Sequence, residues 1–190
     1  MSILLTGFEP FDGASVNPSW EAVQRVPDVI CGQDVHRLRL PVVYSQAAEA
    51  MLEEIRRLRP EIVICCGVAG GRKAVTPELV ALNYRFAGIA DNAGQLYSGE
   101  PILPGGATAL MTRLPVHAII AAIRERGIPA ALSLSAGAYV CNDLYYHLLL
   151  HEGELGCRGL FVHVPDVAAV DSDHAAAALA ACIETALTAE

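Results

Sequence analysis

Residues 45–66 read SQAAEAMLEEIRRLRPEIVICC, and they hold the two structural units of the chain side by side. From Ser45 to Arg59, Ala48, Met51, Leu52, Ile55 and Leu58 recur at helical spacing, which predicts a helix with one apolar face. Pro60 stops it. Glu61–Cys66 then forms a short run that is apolar on both faces, as suits the interior of a parallel sheet covered by helices. The same alternation extends in both directions. Ile3–Thr6, Val35–Leu40, Leu79–Tyr84, Ala130–Ser135 and Leu160–Val164 read as further strands.

Between them lie further helical patterns. Asn17-Pro18 opens a helix around Trp20–Val26, since Asn caps well and Pro tolerates the first helical position. Pro115–Arg126 places Val116, Ile119, Ile120 and Ile123 on one face, with Gly127 after its end. Asn142–Leu150 reads as helical, and Asp173 to about Thr188 as an Ala-rich helix. With no internal repeat, linker or low-complexity tract, residues 1–190 are expected to form an α/β fold. Its form is a single-domain three-layer α/β/α sandwich around a mostly parallel (mixed), twisted central sheet. Two long turn-rich segments, Gly7–Asn17 and Phe86–Gly106, break the rhythm, and loops of such length are often functional.

Composition removes several classes of function. The 190 residues carry 13 Lys and Arg against 21 Asp and Glu, a net charge of −8, and no basic run. Nucleic acid is therefore not an expected partner. Hydrophobic residues make up 53% of the chain, yet no apolar stretch reaches the ~18–20 residues of a spanning helix. The first residues have no basic region before their apolar run, so no export signal is read and the expected address is the cytoplasm. The six cysteines include no C-x-x-C pair, and adjacent Cys65 and Cys66 point to opposite faces of a strand. Structural zinc is disfavoured, and most of these thiols are expected in the core.

Cys141 stands out by position. A strand-like run, a turn over Ala136–Val140 and a helix from Asn142 put it near a helix N-terminus, where free N–H groups and the dipole favour a thiolate. A buried structural thiol is the plainer alternative. His163, near the end of the Leu160–Val164 run, is a candidate base, or simply a hydrogen-bonded strand-end residue. Glu78, in Val-Thr-Pro-Glu, is a candidate acceptor for the second imidazole nitrogen, or a solvated carboxylate. Gly67-Val-Ala-Gly-Gly-Arg72 has the makings of an anion nest but matches no nucleotide fingerprint. His147 and His151, four apart on a helix, lack the metalloprotease pattern and read as a surface pair. No Gly-x-Ser-x-Gly elbow is present.

Several motifs in order carry a resemblance. They are Leu-Leu-Thr-Gly-Phe-Glu-Pro-Phe at 4–11, Val-Asn-Pro-Ser-Trp-Glu-Ala-Val at 16–23, and Cys-Gly-Val-Ala-Gly-Gly-Arg at 66–72 with Thr-Pro-Glu at 76–78. Asp91-Asn-Ala-Gly, Ser135-Ala-Gly-Ala-Tyr-Val-Cys-Asn and Phe161-Val-His-Val-Pro continue the series. Together they resemble the pyroglutamyl peptidase I (pyrrolidone-carboxylate peptidase) family. The resemblance implies a cysteine peptidase that removes an N-terminal pyroglutamyl residue from peptides, working as a homotetramer. It implies Glu78, Cys141 and His163 as the catalytic set, Phe8 and Phe11 as the aromatics holding the pyrrolidone ring, and Asn17, Val68 and Val140 as further pocket positions. Such chemistry needs neither a metal nor an organic cofactor. The chain departs from the family pattern at Val68, where Gln is common, and at Phe86–Ala90, where an Arg common in relatives is missing; Asp143 and Asp166 also stand where other types are common. Two rival readings are a nucleoside-phosphorylase-like transferase using the Gly70-Gly71-Arg72 nest, and a catalytically inactive ligand-binding module.

Overall fold

A computed structural model describes residues 2–189 of the chain. The order of elements begins β1 (Ser2–Phe8), α1 (Pro18–Arg25), β2 (Val29–Ile30), β3 (Gln33–Leu40), α2 (Gln46–Leu58) and β4 (Ile62–Val68). Five short strands follow: β5 (Thr76–Glu78), β6 (Val80–Leu82), β7 (Arg85–Phe86), β8 (Ser98–Glu100) and β9 (Ala109–Met111). The chain ends α3 (Val116–Glu125), α4 (Val140–Leu155), β10 (Arg158–Val164) and α5 (Ser172–Thr188). The main sheet has the order β2-β3-β1-β4-β10-β5; the four central strands run parallel, and the two edge strands are antiparallel to their neighbours.

Side chains alternate across this sheet as its period of two requires. Ile3, Leu5, Ile62, Ile64, Cys66, Leu160 and Val162 face α1, α3 and α5. Leu4, Val63, Cys65 and Phe161 face α2 and α4 on the other side. The fold is therefore the expected single-domain, three-layer arrangement with a mixed sheet. Helix boundaries have local causes. Asn17 accepts from the Ser19 N–H with Pro18 inside the helix, Asp171 accepts from the N–H groups of Asp173 and His174, and Arg59 closes α2 in the left-handed conformation.

Two expected strands are corrected. Among the described residues Ala130–Ser135 forms no ladder; isolated bridges from Ala130 to Val75 and from Ser133 to Glu78 tie it to the sheet. Its neighbour β5 contains Pro77, which has no N–H to offer a ladder. The run Leu79–Tyr84 is also broken up. Glu78 ends β5, and β6 leaves the main sheet to pair with β9. At the end of β6 the Asn142 side chain takes over the ladder's role: Oδ1 accepts from Leu82 N–H at 2.9 Å, and Nδ2 donates to the carbonyls of Leu82 and Tyr84 at 2.8 and 3.0 Å. Those bonds also hold the first turn of α4 in place. Among the described residues, no helix is long and apolar enough to cross a membrane.

Candidate active site

The parallel strands deliver their carboxyl ends to one edge, where open α/β sheets usually build their sites. Phe8 ends β1, Gly67 and Val68 end β4, and His163 and Val164 end β10. Cross-strand register sets the next contacts. His163 pairs with Gly67 on one side, and Phe161 pairs with Glu78 on the other. Phe161 and His163 share a face, so Glu78 reaches the imidazole diagonally: Oε1 lies 2.8 Å from His163 Nδ1. Both groups are buried, Glu78 completely. With Nδ1–H donating to the carboxylate, Nε2 is left as the acceptor.

Helix α4 lies over the same face and brings Cys141 to it. A Cβ on Gly67 would sit 2.9 Å from Cys141 Sγ and 2.8 Å from the ring of Phe161, so only glycine allows this approach. The strand-paired positions thus gather His163, Glu78 and the thiol on one face. Tyr139 caps α4, and its carbonyl already receives the N–H groups of Asn142 and Asp143. That leaves the N–H groups of Val140 and Cys141 as first-turn donors without a backbone acceptor among the described residues.

At Cys141 the helix start, which favours a thiolate, is opposed by burial. Burial, then the nearby Glu78, push its thiol up to about 12, and Arg72 opposes them. His163 is held below the ordinary imidazole value, chiefly by burial, with Glu78 opposing and Arg72 adding to the depression. Both shifts favour a neutral thiol beside a neutral imidazole. Four other thiols, Cys65, Cys66, Cys157 and Cys182, are buried, while Cys31 is exposed and all six are free.

Next to Cys141 opens a small cavity of about 40 Å³. Phe8, Phe11, Asn17, Val68 and Val140 all line it, as does Cys141; Val42 and Tyr139 complete it. Neither of the last two was singled out from the sequence. Tyr139 stands two residues before Cys141, and Val42 follows the carboxyl end of β3, so the edge rule that selects Phe8 also points to it. Phe11 and Tyr139 face each other with ring centroids 6.2 Å apart.

The loop carrying the two phenylalanines is pinned at Glu9. Its N–H donates to Leu40, its carbonyl accepts from Asn17 Nδ2 at 2.9 Å, and its carboxylate accepts from Val42 N–H and Asn92 Nδ2. Asn17 Oδ1 accepts from both N–H and Oγ of Ser19, whose Oγ in turn accepts from Phe8 N–H. One N–H of the Asn17 amide remains for a ligand. Val68 brings only an apolar side chain to the cavity.

Residues flagged outside this set have other duties. The loop at 70–72 offers no vacant anion nest, because Gly71 N–H donates to Asp166 at 3.2 Å and Arg72 pairs with Glu78 at 2.6 Å. The nucleoside-phosphorylase-like reading loses its phosphate site with it. Arg85, just before the Phe86–Ala90 segment that lacks the family's Arg, pairs with buried Asp143 at 2.6 Å and lies over Tyr44 and Tyr97. His147 and His151 stack with centroids 6.3 Å apart. No cluster of three or more His, Cys, Asp or Glu among the described residues is placed to hold a metal ion.

Comparison with known proteins gives concordant results. A family model described as pyroglutamyl peptidase matches residues 1–189. The pyrrolidone-carboxylate peptidase of Klebsiella pneumoniae is 46% identical over 175 residues, covering 90% of this chain and 81% of the relative. That of Enterococcus faecalis is 43% identical over 167 residues, covering 87% and 78%. Among solved structures, pyroglutamyl peptidase I of Bacillus amyloliquefaciens superposes with a TM-score of 0.94 at 38% identity, covering 99% of this chain and 97% of that one. Pyrrolidone carboxyl peptidase of Pyrococcus furiosus superposes at 0.93 and 35% identity, covering 98% of each chain.

Proposed function

The chain belongs to the pyroglutamyl peptidase family, a family of cysteine peptidases that remove N-terminal pyroglutamate, and from that premise we propose that Cys141, His163 and Glu78 are its catalytic triad. The observation that carries the assignment is the 2.8 Å bond between Glu78 and His163, on the face where the Cys141 sulfur packs against the strand partner of His163. Nε2 of His163 takes the thiol proton as Sγ attacks the pyroglutamyl carbonyl. The imidazolium then protonates the departing amine, leaving a thioester on Cys141. Water, deprotonated by the same imidazole, attacks the thioester; as the C–S bond breaks and pyroglutamate leaves, the imidazolium returns its proton to Sγ. Glu78 fixes the imidazole tautomer and stabilises its cationic form. The N–H groups of Val140 and Cys141 are the donors for the developing oxyanion.

In this reading the lactam ring lies between Phe8, Phe11 and Tyr139, with the spare Asn17 N–H directed to its carbonyl. Val68 leaves any polar contact at that wall to the backbone. The partner is a peptide with an N-terminal pyroglutamate. Six unpaired cysteines suit a reducing compartment, in keeping with a cytoplasmic setting. Self-association as a homotetramer would cover exposed Phe86, Ile89 and Leu96 on the 86–106 segment.

Hydrolysis of a chromogenic pyroglutamyl amide beside its prolyl counterpart, with and without a reducing agent, tests the function. Proline has nearly the same ring but lacks the lactam carbonyl and carries a charged amine. Stacking alone separates such rings by only about 1–3 kcal/mol, whereas polar groups left unpaired give discrimination of order 10⁴. The expected result is cleavage of the pyroglutamyl amide, sustained by reductant, and no measurable cleavage of the prolyl amide. Comparable kcat/KM for the two substrates rejects the pocket assignment.

A further inference from the structure

Glu78 uses its carboxylate unevenly. Oε1 receives Nδ1–H of His163 at 2.8 Å and Nη1–H of Arg72 at 2.6 Å, while Oε2 is buried with no hydrogen-bond partner among the described residues. Arg72 is held on several sides. The same Nη1 donates to Thr76 Oγ1, and Nη2 donates to the carbonyl of Ser135 at 3.3 Å. Its backbone N–H donates to Ala69, and the preceding Gly71 N–H donates to Asp166, just past β10. The guanidinium therefore joins the strand bearing Glu78 to the segment that leads into α4 and Cys141, from a loop anchored beside the strand bearing His163.

We propose that Arg72 is a positioning residue of the catalytic set: its guanidinium aims Oε1 of Glu78 at His163 and, by its charge, keeps the imidazole neutral between turnovers. The inference rests on reading Cys141, His163 and Glu78 as that set. Its physical basis is the cost of an unshared carboxylate in a fully buried position. A buried carboxylate touching only the imidazole would draw a proton onto it, and a protonated imidazole cannot accept the thiol proton. Sharing Oε1 with a fixed cation weakens that pull and preserves the hydrogen bond that sets the tautomer. Arginine suits the task because its planar fork reaches Thr76, Glu78 and Ser135 together.

Among the described residues, few charged or titratable groups surround the imidazole. Glu78 faces it from β5, Arg72 from the loop before β5, and Cys141 from α4. Tyr145 of α4 donates its hydroxyl to the Glu78 carbonyl, and Asp166 is turned toward Gly71. Arg72 lowers and Glu78 raises the proton affinity of both His163 and Cys141. Removing the guanidinium therefore moves both titrations in the same direction, upward.

Arg72→Gln and Arg72→Lys, made in a Cys31→Ser background so that the exposed thiol is silent, test the role. Two profiles are measured against pH: the rate of Cys141 alkylation by iodoacetamide, and kcat/KM on pyroglutamyl p-nitroanilide. In Arg72→Gln the acid limb of kcat/KM and the midpoint of alkylation both move up by about one pH unit. Arg72→Lys keeps the charge but not the fork, so its limbs stay near the parent's while kcat falls. Unmoved limbs in Arg72→Gln with only a lower plateau overturn the proposal, since a purely structural residue would do that. If Arg72→Gln does not fold, Arg72→Lys decides: parental kcat, or limbs displaced despite the retained charge, overturns it. Alkylation needs no substrate. A parent that alkylates with these limbs but does not cleave the pyroglutamyl amide therefore rejects the peptidase reading and leaves the Arg72 role measurable.

Discussion

A neutral thiol beside a neutral imidazole reacts only if the proton moves as the sulfur attacks, and this orders the expected losses. Cys141→Ala abolishes turnover with the fold intact, and Cys141→Ser does so too, because the hydroxyl is a poorer nucleophile in a site arranged for sulfur. His163→Ala costs roughly 10²–10⁴-fold in kcat, the range for a general acid–base. It approaches the loss of the nucleophile because the two act as a unit. Glu78→Gln retains the side-chain shape and the backbone bond to Tyr145 but loses the charge, so its loss is smaller than that of His163→Ala. Steady-state kinetics on the pyroglutamyl amide decide this order; an equal or larger loss in Glu78→Gln would assign Glu78 a direct proton transfer. Each of these residues can be picked out from sequence position, His163 at a strand end and Cys141 at a helix start. The Glu78–His163 contact stands in the sequence only as one of two alternatives, because it depends on the antiparallel register of a three-residue edge strand. The spacing makes Arg72 look like part of an anion nest for a related reason: its partner Glu78 is six residues away, and nothing in the spacing shows that the loop folds back.

Elements explain why the site forms at one edge, and also where sequence patterns mislead. Ala130–Ser135 looks like a strand, yet the neighbouring Pro77 and the Asn142 side chain take away the ladder that would make it and Leu79–Tyr84 regular. Side-chain substitution for backbone pairing leaves no periodic trace, so these two segments were the ones misread. In β1, β4 and β10 burial on both faces leaves a continuous apolar run, which the sequence shows directly. One close contact between elements is directly testable. α4 crosses the end of β4 at Gly67, where a methyl group would meet the Cys141 sulfur at 2.9 Å and the Phe161 ring at 2.8 Å. Gly67→Ala is expected to destabilise the fold by about 1–3 kcal/mol through overpacking. It is also expected to lower kcat by about 10²-fold by displacing the sulfur, with KM little changed. Thermal unfolding and steady-state kinetics measure the two effects separately. Parental kcat in Gly67→Ala would mean that the sulfur need not lie against this strand.

At the scale of the whole molecule, the apolar richness that invites a membrane reading goes into two cores on either side of one sheet, and both contain thiols. Cys65 lies among the residues facing α2 and α4, while Cys66 and Cys182 lie in the opposite core. The adjacent pair at 65–66 divides between the layers as strand geometry requires, which made their burial readable from the sequence. Their protonation has a consequence for stability. Burial raises Cys65 and Cys182 to about 12 and Cys66 well above the usual thiol value, so the folded protein keeps these protons when the unfolded chain has begun to release them. A group raised in the folded state contributes stability that is present below its unfolded value and lost as pH climbs toward the folded one. The loss begins near pH 9, the ordinary thiol value, and each such thiol removes at most about 1.4 kcal/mol per further pH unit. Thermal unfolding under reducing conditions should therefore show a Tm that is flat between about pH 7 and 8 and falls with increasing slope from pH 9 to 11. Cys66→Ala separates this effect from packing: it lowers Tm at pH 7 through the lost sulfur contacts, yet flattens the alkaline slope because one titrating group is gone. A slope unchanged by Cys66→Ala would place the alkaline weakness elsewhere, with buried Tyr145 the next group to substitute, since burial raises its hydroxyl as well.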